Sequence, residues 1–156
     1  MDSDIMILRS MRPLVSHILG NCSSFWAVED LPAFPGSFNA GLMALRPSAQ
    51  EYSRLLDLLH NESLPFAEEW AEQGFLNSVY ENSWGKLPLT MALSLSFWWS
   101  DMDAWNSLSR DAHAIHFNMI KPWNWWCPWT TYSPLCFLFW NKQHLQFHAV
   151  IASATQ

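Results

Sequence analysis

The stretch "FNAGLMALRPSAQEYSRLLDLLH", residues 38–60, constrains the fold more than any other. Leu42 to Leu45 form a short apolar run of the kind a buried strand needs, and Pro47 stops it. Ser48 follows as a helix cap, and Glu51 completes an S-x-x-E capping box. Tyr52, Leu55, Leu56 and Leu59 then recur at i, i+3, i+4 and i+7, which is one apolar face of a helix. A strand that gives way at once to an amphipathic helix is the building unit of α/β proteins.

The same alternation runs along much of the chain. "DIMIL", residues 4–8, reads as a buried, parallel-type strand. "SMRPLVSHIL" reads as a short helix with Ser10 as N-cap and Pro13 in its first turn. Phe25 to Val28 reads as a strand, and "EDLPAFPGS" as a loop. "FAEEWAEQGFLNSVYEN", residues 66–82, reads as a second helix with an acidic first turn. Gly74 interrupts it at a cost of roughly 1 kcal/mol against alanine, so close approach by a backbone or a ligand is expected there. "KLPLTMALSLSF" is strand or extended loop, and residues 98–110 are loop or short helix. "HAIHF" alternates like a strand, with His113, Ile115 and Phe117 on one face and Ala114 and His116 on the other. The expectation is one α/β domain with a partly parallel, mixed sheet. Beyond Pro128 the periodicity is lost, and the tail is left without assigned structure.

The totals narrow the function. Half of the 156 residues are hydrophobic, which argues against global disorder. The net charge of −6 provides no basic stripe for phosphates, so no nucleic-acid partner is expected. The three cysteines, Cys22, Cys127 and Cys136, form no C-x-x-C pair, which leaves a disulfide framework or a zinc site unsupported and a single pair open. No apolar segment has the length of a signal peptide before Asp2, and no run approaches the roughly 18 residues of a membrane span. A compartment, whether secretory membrane or cytoplasm, is therefore not marked in the sequence. The tryptophans of "KPWNWWCPW" are read first as a packed core, and second as a surface for a glycan or a membrane.

Several polar residues could carry chemistry. Asp2 and Asp4 lie two apart in an extended segment, so both carboxylates reach toward one cation. His116 could add an imidazole, which Mn²⁺ accepts. On spacing alone, the ordinary reading is a solvated acidic end and a core histidine. Lys121 could offer a point charge to a diphosphate, or be a surface lysine. Glu69, Glu72 and Gln73 could address a sugar, or simply be polar residues at a helix start.

Their order along the chain is more telling. The succession of D-x-D, "FNAGLMALRPS", "EQGFLN", "LPL" and "HFNMIKPWNWW" resembles the family 8 glycosyltransferases, the glycogenin-like retaining group, from its D-x-D motif onward. The resemblance spans Asp2 to about Trp126. It implies a partial nucleotide-diphospho-sugar transferase (GT-A-like) catalytic domain over residues 1–126, an aromatic-rich tail over 127–156, and nucleotide-binding βα units that would precede Asp2. It implies Asp2, Asp4 and His116 as ligands of Mn²⁺ or Mg²⁺, and Lys121 as the diphosphate contact. Asn39, Ala40 and Glu69 would meet the donor sugar, and Glu72 and Gln73 would stand near its anomeric carbon. Glu72, Gln73 and Lys121 would be the catalytic residues, Glu72 either as nucleophile or as stabiliser of an oxocarbenium-like centre. The implied activity is transfer of a hexose or uronic acid from a UDP-sugar to a glycan, glycolipid or protein acceptor. A degenerate remnant, acting at most as an interaction module, is the alternative. The His116-to-Lys121 spacing is one residue shorter than in glycogenin-like members, and Asn118 and Met119 stand where a glycine is usual. Ala92 replaces an asparagine frequent after L-P, and "SLSFWWSDMDAW" holds no tyrosine that could accept glucose in cis.

Overall fold

A computed structural model describes residues 1–20, 23–60, 64–127 and 134–141. The chain forms two compact units, Met1–His116 and Phe117–Gln156.

Among the described residues, the first unit holds two three-stranded sheets and five α-helices. In chain order these are β1 (Ile5–Ile7), α1 (Arg12–Leu19), β2 (Phe25–Glu29), β3 (Phe38–Leu45), α2 (Ala49–His60), α3 (Ala71–Tyr80), β4 (Gly85–Leu87), β5 (Leu93–Ser94), α4 (Ser96–Ser100), α5 (Met102–Leu108) and β6 (Ala114–His116). One sheet has the order β1-β6-β5 and the other β3-β2-β4. Each combines one antiparallel and one parallel pairing, so the mixed α/β expectation holds. β1 departs from its expected parallel type: it pairs antiparallel with β6, Ile5 opposite His116. A short apolar run does not distinguish the two pairings; the partner does.

Trp26, on β2, is almost fully buried and joins Ile5, Leu14, Val28, Leu42, Leu87 and Ala114 in one core. Each large apolar side chain removed from water in this way stabilises the unit by roughly 1.5–3 kcal/mol. A second cluster sets Phe25, Phe38 and Tyr80 around Ala27, with the Phe25 and Tyr80 rings stacked 4.4 Å apart.

The helices follow their local signals in part. Pro13 lies in the first turn of α1, but Met11 takes the N-cap place and Ser10 Oγ accepts the Arg12 amide from one residue further back. Ser48 Oγ accepts the Glu51 amide, as the capping box requires. The Glu51 carboxylate instead turns to Arg54 and to the Tyr80 hydroxyl. The expected second helix is broken near its start. Glu68–Trp70 form a 3-10 turn, and Ala71 then takes a positive φ of 46° before α3 proceeds. Residues 98–110 prove mostly helical, with Asp101 Oδ1 capping α5 through the Ala104 amide.

In the second unit, Cys127 and Cys136 form a disulfide, the single pair that the cysteine count had left open. Residues 134–141 are helical, although no periodicity had assigned structure there. Trp123, Trp125 and Trp126 are exposed, which overturns the packed-core reading of "KPWNWW"; Pro122 and Cys127 are the buried residues of that stretch. Cys22 and residues 142–156 lie outside the described residues. No helix among the described residues is long and apolar enough to cross a membrane.

Candidate metal centre and donor site

The antiparallel pairing of β1 with β6 decides the site. With Ile5 opposite His116, Asp4, the residue just before β1, lies beside the imidazole. Asp4 Oδ1 lies 3.3 Å from His116 Nε2, and both side chains are buried. Asp2 is exposed and is held by its own backbone, whose N–H donates to the Gly41 carbonyl at 2.8 Å. One ligand atom each from Asp2, Asp4 and His116 lie within 4.8 Å of one another.

Gly41 serves this cluster a second time. A Cβ placed on it would overlap the His116 ring, at 2.8 Å from both ring nitrogens. Only a residue without a side chain lets β3 pass so close under the imidazole. The donor set is two carboxylates and one imidazole, a combination that could hold a divalent cation.

A second polar group adjoins it. Asp30 follows the end of β2 and is buried. Gln73 Nε2 donates to Asp30 Oδ2 at 3.0 Å, while Gln73 Oε1 accepts the Ala40 amide at 2.9 Å. Asn39 also hydrogen-bonds Asp30, and its Oδ1 accepts the Gly41 amide at 2.8 Å. Burial pushes the Asp30 carboxyl above its ordinary range, against the pull of Gln73, Asn39 and the charge of His116. One turn along α3, Asn77 clamps the same strand, accepting the Phe38 amide at 2.9 Å and donating to the Phe38 carbonyl at 2.8 Å. α3 thus reads the backbone of β3 with two amide side chains four residues apart.

The structure therefore brings Asp2, Asp4 and His116 into one cluster, and Asn39, Ala40 and Gln73 into the network beside it. Glu69 and Glu72 are exposed and join neither. Lys121 belongs to the second unit, where its Nζ donates to the Phe117 carbonyl at 3.2 Å. Sequence reasoning passed over Asp30 and Asn77. The signals were an acid at the carboxyl end of a strand, where open sheets gather ligands, and an amide one helical turn after Gln73.

Comparison with known proteins bears on the reaction class, not on single residues. The chain is 29% identical to a glycogenin of Komagataella phaffii over 136 residues, which take in 78% of this chain and 32% of that protein. It is 28% identical to a glycogenin of Neurospora crassa over 101 residues, 64% of this chain and 14% of that protein. The chain resembles the glycogenin-like family 8 glycosyltransferases. It spans a third or less of the length of these two relatives. No family profile matches it. Mouse xyloside xylosyltransferase 1 in its apo form superposes with a TM-score of 0.49 at 16% identity, over 76% of this chain and 57% of that one.

Proposed function

We propose that this chain carries the cation-binding and donor-sugar part of a retaining, GT-A-like glycosyltransferase. It would move a hexose or uronic acid from a UDP-sugar to a glycan, glycolipid or protein acceptor. The observation that carries the reading is the convergence of Asp2, Asp4 and His116 above Gly41, from segments far apart in the chain. The glycogenin relatives supply the reaction class.

In such a transfer the bond from the anomeric carbon to the diphosphate oxygen breaks. A bond to an acceptor hydroxyl oxygen forms, and the hydroxyl proton leaves toward the departing diphosphate. Asp2, Asp4 and His116 would hold Mn²⁺ or Mg²⁺. A cation bound there would neutralise charge that builds on the diphosphate. Gln73 has both amide atoms engaged within the protein, so its part is positioning: it fixes Asp30 against β3. Glu72, exposed in the first turn of α3, is left to meet the sugar. Asn39 braces the β3 turn that supports both the acid network and the imidazole.

The test is thermal stability with Mn²⁺ and uridine diphosphate. A ligand that binds only the folded state raises Tm by mass action. Wild type is expected to gain several degrees with both present, whereas Asp4→Asn, His116→Ala and Gly41→Ala lose that gain. A flat wild-type response, or an equal gain in all three variants, overturns the reading and leaves an inactive family 8 remnant.

A further inference from the structure

A cavity of about 230 Å³ opens on the side of α3 that faces the 30–37 loop, and Gln73 is shared between it and the acid network. Phe34 and Trp70 stand at it edge to face, with ring centroids 4.7 Å apart, and each is more than two-fifths exposed. Ser37 and Ser78 line it, together with Gln73 and Asn77, whose amides are engaged with Asp30 and β3. An aromatic corner beside two serines suits a pyranose, whose C–H face is apolar and whose rim is polar.

Both rings are held by fixed backbone. The Phe34 loop is closed by the Asp30 amide on the Ser37 carbonyl at 2.9 Å, and by the Phe34 amide on the Asp30 carbonyl at 2.7 Å. Glu29 Oε1 accepts the Gly36 amide, and the other carboxylate oxygen of Glu29 pairs with Lys86 at 2.9 Å. Trp70 ends a 3-10 turn through its amide on the Ala67 carbonyl at 3.1 Å. The next residue, Ala71, has a positive φ, a conformation unfavourable for a non-glycine residue. Gly74 has no side chain, so α3 closes onto the Ala67 carbonyl. The corner thus fixes the backbone on both sides of an exposed tryptophan.

We propose that Phe34 and Trp70 form a platform that binds one pyranose ring of the carbohydrate acceptor, with Gln73 between that platform and the donor-side acids. The inference rests on the transferase reading for the word acceptor, but its aromatic geometry stands by itself.

The experiment is saturation-transfer NMR on the whole chain against an array of neutral oligosaccharides built from glucose, galactose and xylose. Titration of whichever sugars bind then compares wild type with Trp70→Ala, Trp70→Phe and Phe34→Leu. At least one saccharide is expected to bind wild type. Trp70→Ala should weaken it tenfold or more, Phe34→Leu severalfold, and Trp70→Phe least. Silence across the array, or unchanged affinity in both Trp70→Ala and Phe34→Leu, overturns the proposal. Phe34→Leu keeps the apolar bulk without the ring, so it decides the matter should Trp70→Ala fold poorly. The Mn²⁺ and uridine diphosphate shift, read in parallel, should persist in all three variants. If that shift is absent from wild type while the ring variants still lose saccharide, the transferase reading fails and the carbohydrate platform stands.

Discussion

Helices α2 and α3 form an instructive pair. α2 carries every local signal of a helix: a capping serine, an acidic first turn and a regular leucine stripe. Yet it buries no residue, and Tyr52 and Leu59 on that stripe are largely exposed. α3 begins at a strained alanine and contains a glycine, a glutamine and an asparagine. It buries Phe75 and Tyr80 and positions the polar network of Asp30 and β3. Where propensity is sufficient, a helix can be a covering element. Where local preference is violated, tertiary contacts demanded the violation, and those contacts lead to the site.

Substitution of the two helices should separate these roles, and Gly74→Ala should do so most strongly. In an ordinary helix interior it would stabilise by roughly 1 kcal/mol. Here the new methyl would overlap the Ala67 carbonyl, which is backbone and cannot rotate away. The expected outcome is a loss of about 1–3 kcal/mol. For a chain of this size that lowers Tm by roughly 2–4 °C per kcal/mol. A rise in Tm would show that the corner is not tightly closed.

Next is Asn77→Ala. It leaves the Phe38 amide and carbonyl without their α3 partner, a loss of about 1–3 kcal/mol for part-buried polar groups. Denaturant midpoints with an unchanged m-value would measure it. If the site depends on α3 through β3, the same variant also weakens the Mn²⁺ response. Ser48→Ala, at the cap of α2, should cost only about 1 kcal/mol and leave that response intact. A metal defect in Ser48→Ala would break the distinction between the helices.

Much of this arrangement was legible in the sequence. The strand-then-helix unit at residues 38–60 needed only proline, a cap and periodicity. The order of short motifs named the residues Asp2, Asp4 and His116 before any geometry was available. What could not be read was pairing. Three apolar residues in β1 are compatible with a parallel or an antiparallel neighbour, and the choice of β6 is made by the whole sheet. Gly74 announced a close approach, and the structure supplies its partner, the Ala67 carbonyl. Asp30 looked like one more polar residue of a proline-rich loop. Its importance comes from Gln73, forty-three positions away, which reaches it across the strand. Glu69 and Glu72 shared a helix start with Gln73, but a helix turns about 100° per residue, so neighbours in sequence face different surroundings.

The smallest expected effect concerns the contact that joins the two helices. Glu51 of α2 takes a hydrogen bond from the Arg54 guanidinium and another from the Tyr80 hydroxyl of α3, and these hold its carboxyl down at about 2. Its ordinary value is 4.5, so its contribution is complete above that pH and is lost as pH falls toward 2. Burial, and then the bond to Glu51, push the Tyr80 hydroxyl up to about 12 from its usual 10. That contribution has the opposite sense: it is present below pH 10 and is lost as pH rises toward 12. Arg54 is about half exposed, so solvent screening keeps its pairing with Glu51 to about 0.5 kcal/mol. Thermal melts of wild type and Glu51→Gln across these two windows should therefore converge at acid pH and differ by a degree or two at neutral pH. In the variant, the tyrosine absorbance near 295 nm should titrate at lower pH. An unshifted alkaline titration would mean that burial alone raises Tyr80, and that α2 is even less coupled to α3 than this hydrogen bond implies.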